Sequence, residues 1–333
     1  MTRVAVLSGG SFGTAMGKVM SDAGCQVTML MQYPEWAEAI NTTHENAQFW
    51  PDIPLPEALR ATADHREALD GADIVVMAVP AQLLGTLLPQ WVPDFPADST
   101  VVSVMKGIEM STMRRMSQVI SEAGQIAPER VGVISGPNLA KEVIREQPSA
   151  TVVSVPDPDR AKIVQAACMN RYFRPYTNPD IVGVETAGSV KNVIALATGM
   201  SDGMGFGDNT RGTLITRGLA EMTRFGLALG AQVQTFMGLA GVGDLVATCT
   251  SVLSRNHIVG EALGQGLTLE QAVERAKTTS EGVKSARPIL QKATELGVEM
   301  PITEQVVRVL YEGASPHDAV ASLMGRPSKS EGV

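Results

Sequence analysis

Residues 3–31 set the strongest constraint on what this chain can become. Arg3–Leu7 (Arg-Val-Ala-Val-Leu) is a short β-branched run that predicts a strand. Ser8-Gly9-Gly10-Ser11-Phe12-Gly13 follows, helix-compatible sequence continues to about Asp22, and Gly24–Met31 predicts a second strand. A strand, a glycine-rich turn, a helix and a strand in this order form the setting in which a dinucleotide pyrophosphate is held. The helix N-terminus offers backbone N–H groups and a favourable dipole, and glycine lets the main chain approach the anion. Only Gly10 and Gly13 keep the GxGxxG register, because Ser8 stands at the first glycine position. Taken alone, such a match also fits a tight strand–helix turn that binds nothing. An acidic residue at the end of the second strand suits a ribose hydroxyl, and arginine suits a 2′-phosphate. Here Gln32 and Tyr33 stand there, which leaves NAD and NADP both open.

The alternation continues. Residues 34–65 carry Pro34, Pro51, Pro54 and Pro56 and predict a helix followed by an irregular excursion. Ala72–Val79, Thr100–Met105 and Val131–Ile134 have the apolar character of strands buried in a parallel sheet. Ala150–Val155 and Tyr172–Tyr176 add two more. The fold class expected is an α/β doubly wound sheet. Ligands collect beyond the carboxyl ends of its strands, which is where Lys106 and Asn138 fall. Lys106 equally fits a solvated lysine in a loop.

From Thr186 onward, glycine-punctuated helical sequence replaces the alternation. A chain of 333 residues exceeds the roughly 250–300 at which one core stops growing, so two domains are expected. We place a dinucleotide-binding domain at 1–184, a helical domain at 185–326 and a disordered tail at 327–333. Within 185–199, Val190, Val193, Ile194 and Ala197 recur at helical spacing on a segment that belongs inside. Lys191 and Asn192 sit on it. A buried ammonium is costly unless something uses it, although this lysine could also snorkel to solvent or pair with Glu185.

Asp202–Asn209 predicts a glycine-rich loop, with Asp208 or Asn209 capping a helix through Thr223. Asp244 lies in a glycine-framed turn that also fits a plain helix cap. Ser254 predicts a cap, so Arg255, Asn256 and helix N–H groups converge in a way that suits a phosphate. An exposed helix start bearing one arginine fits the same residues. His257 has no metal-ligand partner at useful spacing and is taken as structural. Leu267–Lys277, Ser285–Leu296 and Met300–Glu312 predict further helices, the first two joined through residues 278–283.

The net charge of −8 repels nucleic acid and acidic membranes. An anionic substrate would bind only where local cations such as Lys106, Lys191 and Arg255 outweigh that field. Cys25, Cys168 and Cys249 are far apart with no CxxC pair, which argues against a disulfide framework and a zinc site. Only Met1, Thr2 and Arg3 precede the first apolar run, and no apolar run reaches about 18 residues. A cytoplasmic protein with no membrane span is expected, with a homodimer as the default assembly.

Eight motifs in order carry a resemblance: Ser8–Gly13, Lys106-Gly107-Ile108-Glu109, Ser135-Gly136-Pro137, Gly188-Ser189-Val190-Lys191-Asn192, Gly203–Asn209, Gly243-Asp244-Leu245, Ser254-Arg255-Asn256 and Glu281-Gly282-Val283. From Arg3 to about Gly325 the chain resembles the NAD(P)-dependent glycerol-3-phosphate dehydrogenase family of bacteria. The resemblance implies a Rossmann-type domain, an all-α domain and an active site in the cleft between them. It implies reversible conversion of sn-glycerol 3-phosphate to dihydroxyacetone phosphate with NAD or NADP, supplying phospholipid synthesis.

By position it makes Lys191 the proton-transferring lysine and Lys106 a second active-site lysine, with Asp244 and Asn192 beside them. Substrate contacts fall on Lys106, Gly136, Asn138, Lys191, Asp244, Ser254, Arg255 and Asn256. Cofactor contacts fall on Gly10, Ser11, Phe12, Gly13, Gln32, Tyr33, Lys106, Ala140, Arg255 and Glu281, and no metal is implied. Ser8 departs from the pattern, as do Gln32 and Tyr33 where many relatives carry arginines, and Asn138 where serine or threonine is frequent. A β-hydroxyacid-type dehydrogenase and a non-catalytic dinucleotide sensor are the other two readings.

Overall fold

The β-branched runs form eight strands: β1 (Arg3–Leu7), β2 (Gln26–Leu30), β3 (Arg60–Thr62), β4 (Ile74–Met77), β5 (Thr100–Ser103), β6 (Val131–Ser135), β7 (Ser149–Ser154) and β8 (Phe173–Thr177). The computed structural model describes residues 1–277, 280–327 and 330. Most of the expected tail at 327–333, and Thr278 and Thr279 of the expected 278–283 link, therefore lie outside the described residues.

The strands form one sheet in the order β3-β2-β1-β4-β5-β6-β7-β8. Its first six strands have the doubly wound order, with the reversal between β1 and β4. Every pair is parallel except β6 with β7. That pair differs from the all-parallel expectation because the chain turns back after β6 through one short helix rather than a full crossover. The register aligns Thr62, Leu30, Leu7, Met77, Ser103 and Val133 in one row, so the turns that follow leave from a common edge.

Side chains of β1 alternate between two cores. Val4 and Val6 pack with Met16 and Met20 of helix α1 (Ser11–Asp22) on one face. Ala5 and Leu7 pack with Val75, Met77 and Leu84 on the other. The remaining helices of this part are α2 (Pro34–Thr43), α3 (His65–Leu69), α4 (Leu84–Trp91), α5 (Met116–Ala123), α6 (Ala140–Val143) and α7 (Pro158–Cys168).

The rest is helical: α8 (Ile181–Gly203), α9 (Asp208–Ala228), α10 (Val233–Phe236), α11 (Asp244–Thr250), α12 (Arg255–Gly264), α13 (Leu269–Ala276), α14 (Glu281–Glu295), α15 (Pro301–Tyr311) and α16 (Pro316–Met324). Nearly all of α8 is buried, which its run of small and apolar residues dictates. It packs main chain to main chain against α12. A Cβ at Gly199 would meet the His257 carbonyl at 2.2 Å, and one at Gly203 would meet that of Glu261 at 2.1 Å. From the other side, a Cβ at Gly260 would meet the Leu196 carbonyl and one at Gly264 that of Met200, each at 2.2 Å.

Two details correct the sequence reading. Gly207, rather than Asp208 or Asn209, occupies the cap of α9, and Asp208 in the first turn pairs with Arg211 at 2.6 Å. Helix α16 was not expected, although Ser315 and Asp318 form a capping box at its start.

Residues 1–105 with 116–181 make one compact unit, and 106–115 with 182 onward make the other. These units part at 181/182 rather than at the expected 184/185, and one segment breaks the contiguous partition altogether. Lys106–Arg115 folds as a small hairpin, closed by the Ile108–Arg115 bridge, and belongs to the helical unit. Ile108 enters that unit's core, and Arg115 pairs with Glu185 of α8 at 2.5 Å.

Ser8 adopts φ +118°, a conformation that favours glycine, and a Cβ at Gly13 would lie 1.9 Å from the Ser8 carbonyl oxygen. We expect Ser8→Gly to be more stable than Ser8→Ala by about 1–2 kcal/mol, since alanine keeps the backbone strain that glycine releases. Thermal denaturation of the two variants measures this. Equal melting temperatures would contradict the strain.

Candidate active site

The glycine turn between β1 and α1 is held from outside its own motif. Asn46 donates to the Gly9 carbonyl at 2.9 Å and to Thr14 Oγ1 at 2.8 Å, and Trp50 Nε1 donates to the Ser11 carbonyl at 2.9 Å. A side chain at Gly9 would displace the thioether of Met31, which packs over it. Gly10 caps α1 with extended backbone, and no side chain caps the helix. The first-turn N–H groups are therefore not covered by a capping side chain, as an anion site requires. Ser8 Oγ accepts the Gly10 N–H at 3.3 Å. Phe12 packs against the core, while Gln32 donates to Tyr33 Oη at 3.1 Å and Tyr33 stacks edge-on against Trp36.

After β6, Asn138 is committed to the sheet. Its amide donates to the Ala150 carbonyl at 3.0 Å and accepts from Thr151 Oγ1 at 2.7 Å. Gly136 takes φ +154°, with the Thr151 Cα 3.1 Å from a notional Cβ. Ala140 opens α6 and packs on the neighbouring core.

In the helical unit, α8 brings Lys191 and Asn192 inward, the hairpin brings Lys106, and α11 brings Asp244. Lys191 is only 5 % exposed and does not snorkel, and Glu185 is bound to Arg115 instead. Asp244, 1 % exposed, is not a helix cap. One of its carboxylate oxygens accepts from Lys191 Nζ and the other from Lys106 Nζ at 2.7 Å. Lys191 Nζ also donates to Thr248 Oγ1 at 2.7 Å. Thr248 lies one turn beyond Asp244 on α11 and escaped the sequence reading. Its only signal is the i, i+4 spacing that puts both side chains on one helix face. A π-type turn over Leu239–Gly243 leads into α11, where a Cβ at Gly241 would collide with the Phe236 carbonyl.

Burial lowers the Lys191 ammonium, Asp244 opposes that fall, the nearby Lys106 cation adds to it, and the net is a drop from 10.5 to about 7. A lysine that exchanges its proton near neutral pH can act as general acid or base.

On α12, Ser254 caps the helix by accepting the His257 N–H, as its position predicted. Arg255 opens the helix on its exposed side and feels the charge of Glu281 at the start of α14. Asn256 donates to Asn192 Oδ1 at 3.0 Å and accepts from Ser280 Oγ and the Gly282 N–H. Asn192 in turn reaches the Lys106 carbonyl at 3.5 Å. These two amides therefore fasten α12, α8, α14 and the hairpin together. A Cβ at Gly282 would lie 2.6 Å from the Asn192 carbonyl, so no larger residue closes this knot. His257, read as structural, lies with Nε2 2.7 Å from the Asp202 carboxylate, which accepts from it, and Asp202 also pairs with Arg211.

Sequence models of the NAD-dependent glycerol-3-phosphate dehydrogenase N-terminus and C-terminus match residues 3–161 and 180–321. The chain is 53 % identical to the glycerol-3-phosphate dehydrogenase [NAD(P)+] of Streptomyces griseus subsp. griseus, over 99 % of this chain and 98 % of that one. It is 52 % identical to that of Corynebacterium glutamicum, over 99 % and 100 %. The crystal structure of glycerol-3-phosphate dehydrogenase from Coxiella burnetii superposes with a TM-score of 0.91 at 35 % identity, covering 98 % of this chain and 99 % of that one. D-mandelate dehydrogenase with NADH shares the fold alone, at a TM-score of 0.59 and 10 % identity.

Removing the carboxylate at position 244 would leave two ammonium groups facing each other. We expect Asp244→Asn to lose about 3–5 kcal/mol of stability at mildly acidic pH, where both ammonium groups are charged. Part of that loss should return as pH rises toward about 7, because without Asp244 the Lys191 ammonium falls further below its ordinary value and the folded variant sheds that proton before folded wild type does. Urea unfolding of both proteins at about pH 5 and pH 7 tests the sign. A loss that grows over that interval would overturn it.

Proposed function

The chain belongs to the NAD-dependent glycerol-3-phosphate dehydrogenase family, and from that premise we propose how its own residues carry out the family's reaction. The enzyme interconverts sn-glycerol 3-phosphate and dihydroxyacetone phosphate with NAD or NADP, and its reductive direction supplies glycerol 3-phosphate for phospholipid synthesis. The observation that carries the assignment of roles is Lys191, a buried ammonium poised near neutral pH against Asp244, Lys106 and Thr248.

The nicotinamide, when bound, supplies or accepts the hydride. Lys191 Nζ gives a proton to the oxygen on C2 as the ketone is reduced, and takes it back in oxidation. Asp244 and Thr248 aim that Nζ. The Lys106 ammonium keeps Lys191 acidic and favours negative charge developing on the same oxygen. Arg255 grips the phosphate through two parallel N–H groups, helped by the N-terminal amides of α12 and by Ser254. Holding the phosphate remote from the reacting carbon spends binding energy on orientation. Asn192 and Asn256 keep Lys191 and Arg255 in register.

For the cofactor, amides of Gly10, Ser11, Phe12 and Gly13 would hold the pyrophosphate, and Gln32 and Tyr33 would reach the adenosine ribose. The turn fits this task, since no side chain caps α1 and Gly13 packs against the Ser8 carbonyl with no room for a Cβ. Ala140, Lys106, Arg255 and Glu281 complete the proposed contacts. Gly136 and Asn138 shape the substrate loop through the main chain, because the Asn138 amide is already used by β7. No single helix among the described residues is long and apolar enough to cross a membrane. We place the reaction in the cytoplasm.

Reduction needs Lys191 protonated, so its kcat/KM should fall as pH rises through about 7, while oxidation should rise over the same interval. Lys106→Met removes a charge that lowers the Lys191 ammonium, so the reductive limb should move to higher pH. Profiles with the same slope in both directions, or an unmoved limb, would contradict the assignment. Lys191→Ala should lower kcat by about 10²–10⁴-fold while NADH still binds. Arg255→Ala should raise KM for dihydroxyacetone phosphate by about 10–100-fold and leave kcat/KM for dihydroxyacetone, which has no phosphate to grip, unchanged. An equal loss on both substrates would deny Arg255 the phosphate.

A further inference from the structure

We propose that the helical unit carries a second ligand site, separate from the Lys191 cluster, that takes an aliphatic chain ending in an anion. An open-sided cavity of about 800 Å³ lies between α8, α9, α15 and α16, with Arg326 and Pro327 beyond α16 also lining it. That volume falls within the range of sites that bury small molecules. None of Lys106, Lys191, Asp244, Thr248 and Arg255 lines it.

The walls define the body of the ligand. Met200, Met204, Leu214, Val306, Val320 and Leu323 line the space, and no aromatic ring does. Flexible thioethers and branched aliphatic groups adapt to a chain, and they offer no stacking surface for a planar ring.

The polar groups define its end. Thr210, Leu214, Arg217, Glu221 and Arg224 all line the cavity from one face of α9. Arg217 is exposed and makes no hydrogen bond or ion pair among the described residues. Arg224 donates to the Glu299 carbonyl at 3.0 Å, yet its Nε is buried without a partner. Ser201 is 2 % exposed on α8, lines the same space, and its hydroxyl also lacks a partner. Unmet buried donors of this kind are expensive, and a ligand oxygen would satisfy them. The acids on the wall are already occupied. Glu221 accepts the Ile302 and Thr303 N–H groups at 3.1 Å each, capping α15. Glu299 is paired with Arg326 at 3.0 Å. Glu221 also offsets the charge of Arg224, so the cation left over on this wall is Arg217, and it selects a carboxylate or phosphate head.

The site also abuts the catalytic framework. Ser201 and Lys191 share α8, about 15 Å apart along one helix, and Asp202 beside Ser201 holds His257 of α12. An occupant therefore leans on the helices that hold the proton-transfer group.

The test is calorimetric titration of dodecanoate, below its micelle concentration, into the full chain with saturating glycerol 3-phosphate to occupy the catalytic anion site. A decyl phosphate arm separates a phosphate head from a carboxylate. We expect saturable binding of one molecule per chain, weakened about tenfold by Arg217→Gln and lost in Val320→Trp, which fills the cavity. Dodecanol should bind more weakly than either anion. Unchanged turnover in both variants verifies their fold, and the binding readout does not depend on the role given to Lys191. Absent saturation, or equal affinity in wild type and both variants, overturns the proposal. So does a Val320→Trp variant whose only change is its mass by light scattering, which would give this face to a second copy of the chain.

Discussion

One carboxylate clasped by two ammonium groups governs the helical half of this molecule. Asp244 is almost wholly buried, and so is Lys191, in surroundings that would otherwise expel any charge. The two cations tolerate each other only because the carboxylate lies between them, and the carboxylate is tolerated because both its oxygens are met. Each partner arrives on a different element: α8, α11 and the Lys106–Arg115 hairpin. The arrangement therefore exists only when three separate pieces of chain have docked. It also explains why ten residues that follow β5 pack with helices far along the sequence. Arg115 with Glu185, and Ile108 in the helical core, anchor the loop that delivers Lys106.

The sheet-bearing half solves a different problem, the presentation of bare main chain. Its glycine turn is too small to order itself, and Asn46 and Trp50 from the proline-rich excursion tie its carbonyls down. That excursion carries little regular structure because its task is to supply these fasteners. Ser8 remains the anomaly. It occupies a backbone region suited to glycine, and its hydroxyl takes up one N–H of the turn.

Much of this was legible beforehand, for physical reasons. The β1–turn–α1–β2 run declares itself through composition and spacing, and Lys191 through the mismatch between its charge and its neighbours. Ser254 announced its cap by residue type alone. What stayed hidden were roles that depend on partners distant in sequence. Thr248 has no signature apart from its distance to Asp244, and Asn46 looks like any loop asparagine. Asn138, Asn192 and Asn256 were read as groups facing a ligand. In the structure, the amide of Asn138 is held by β7, and those of Asn192 and Asn256 by each other and by neighbouring main chain. The antiparallel β7 and helix α16 were missed for opposite causes. Strand direction is a property of the connection rather than of the strand, whereas the capping box at Ser315 was present and went unread.

The glycines where α8 crosses α12 have one further consequence. Side chains can shuffle to let two helices slide, but here carbonyls rest against Cα atoms with nothing soft between them. The interval between the main chain at Lys191 on one helix and at Arg255 on the other is consequently a gauge cut into the backbone. Under the roles proposed for those two residues, such a gauge favours a phosphoester of one length and leaves only two side chains to take up any difference.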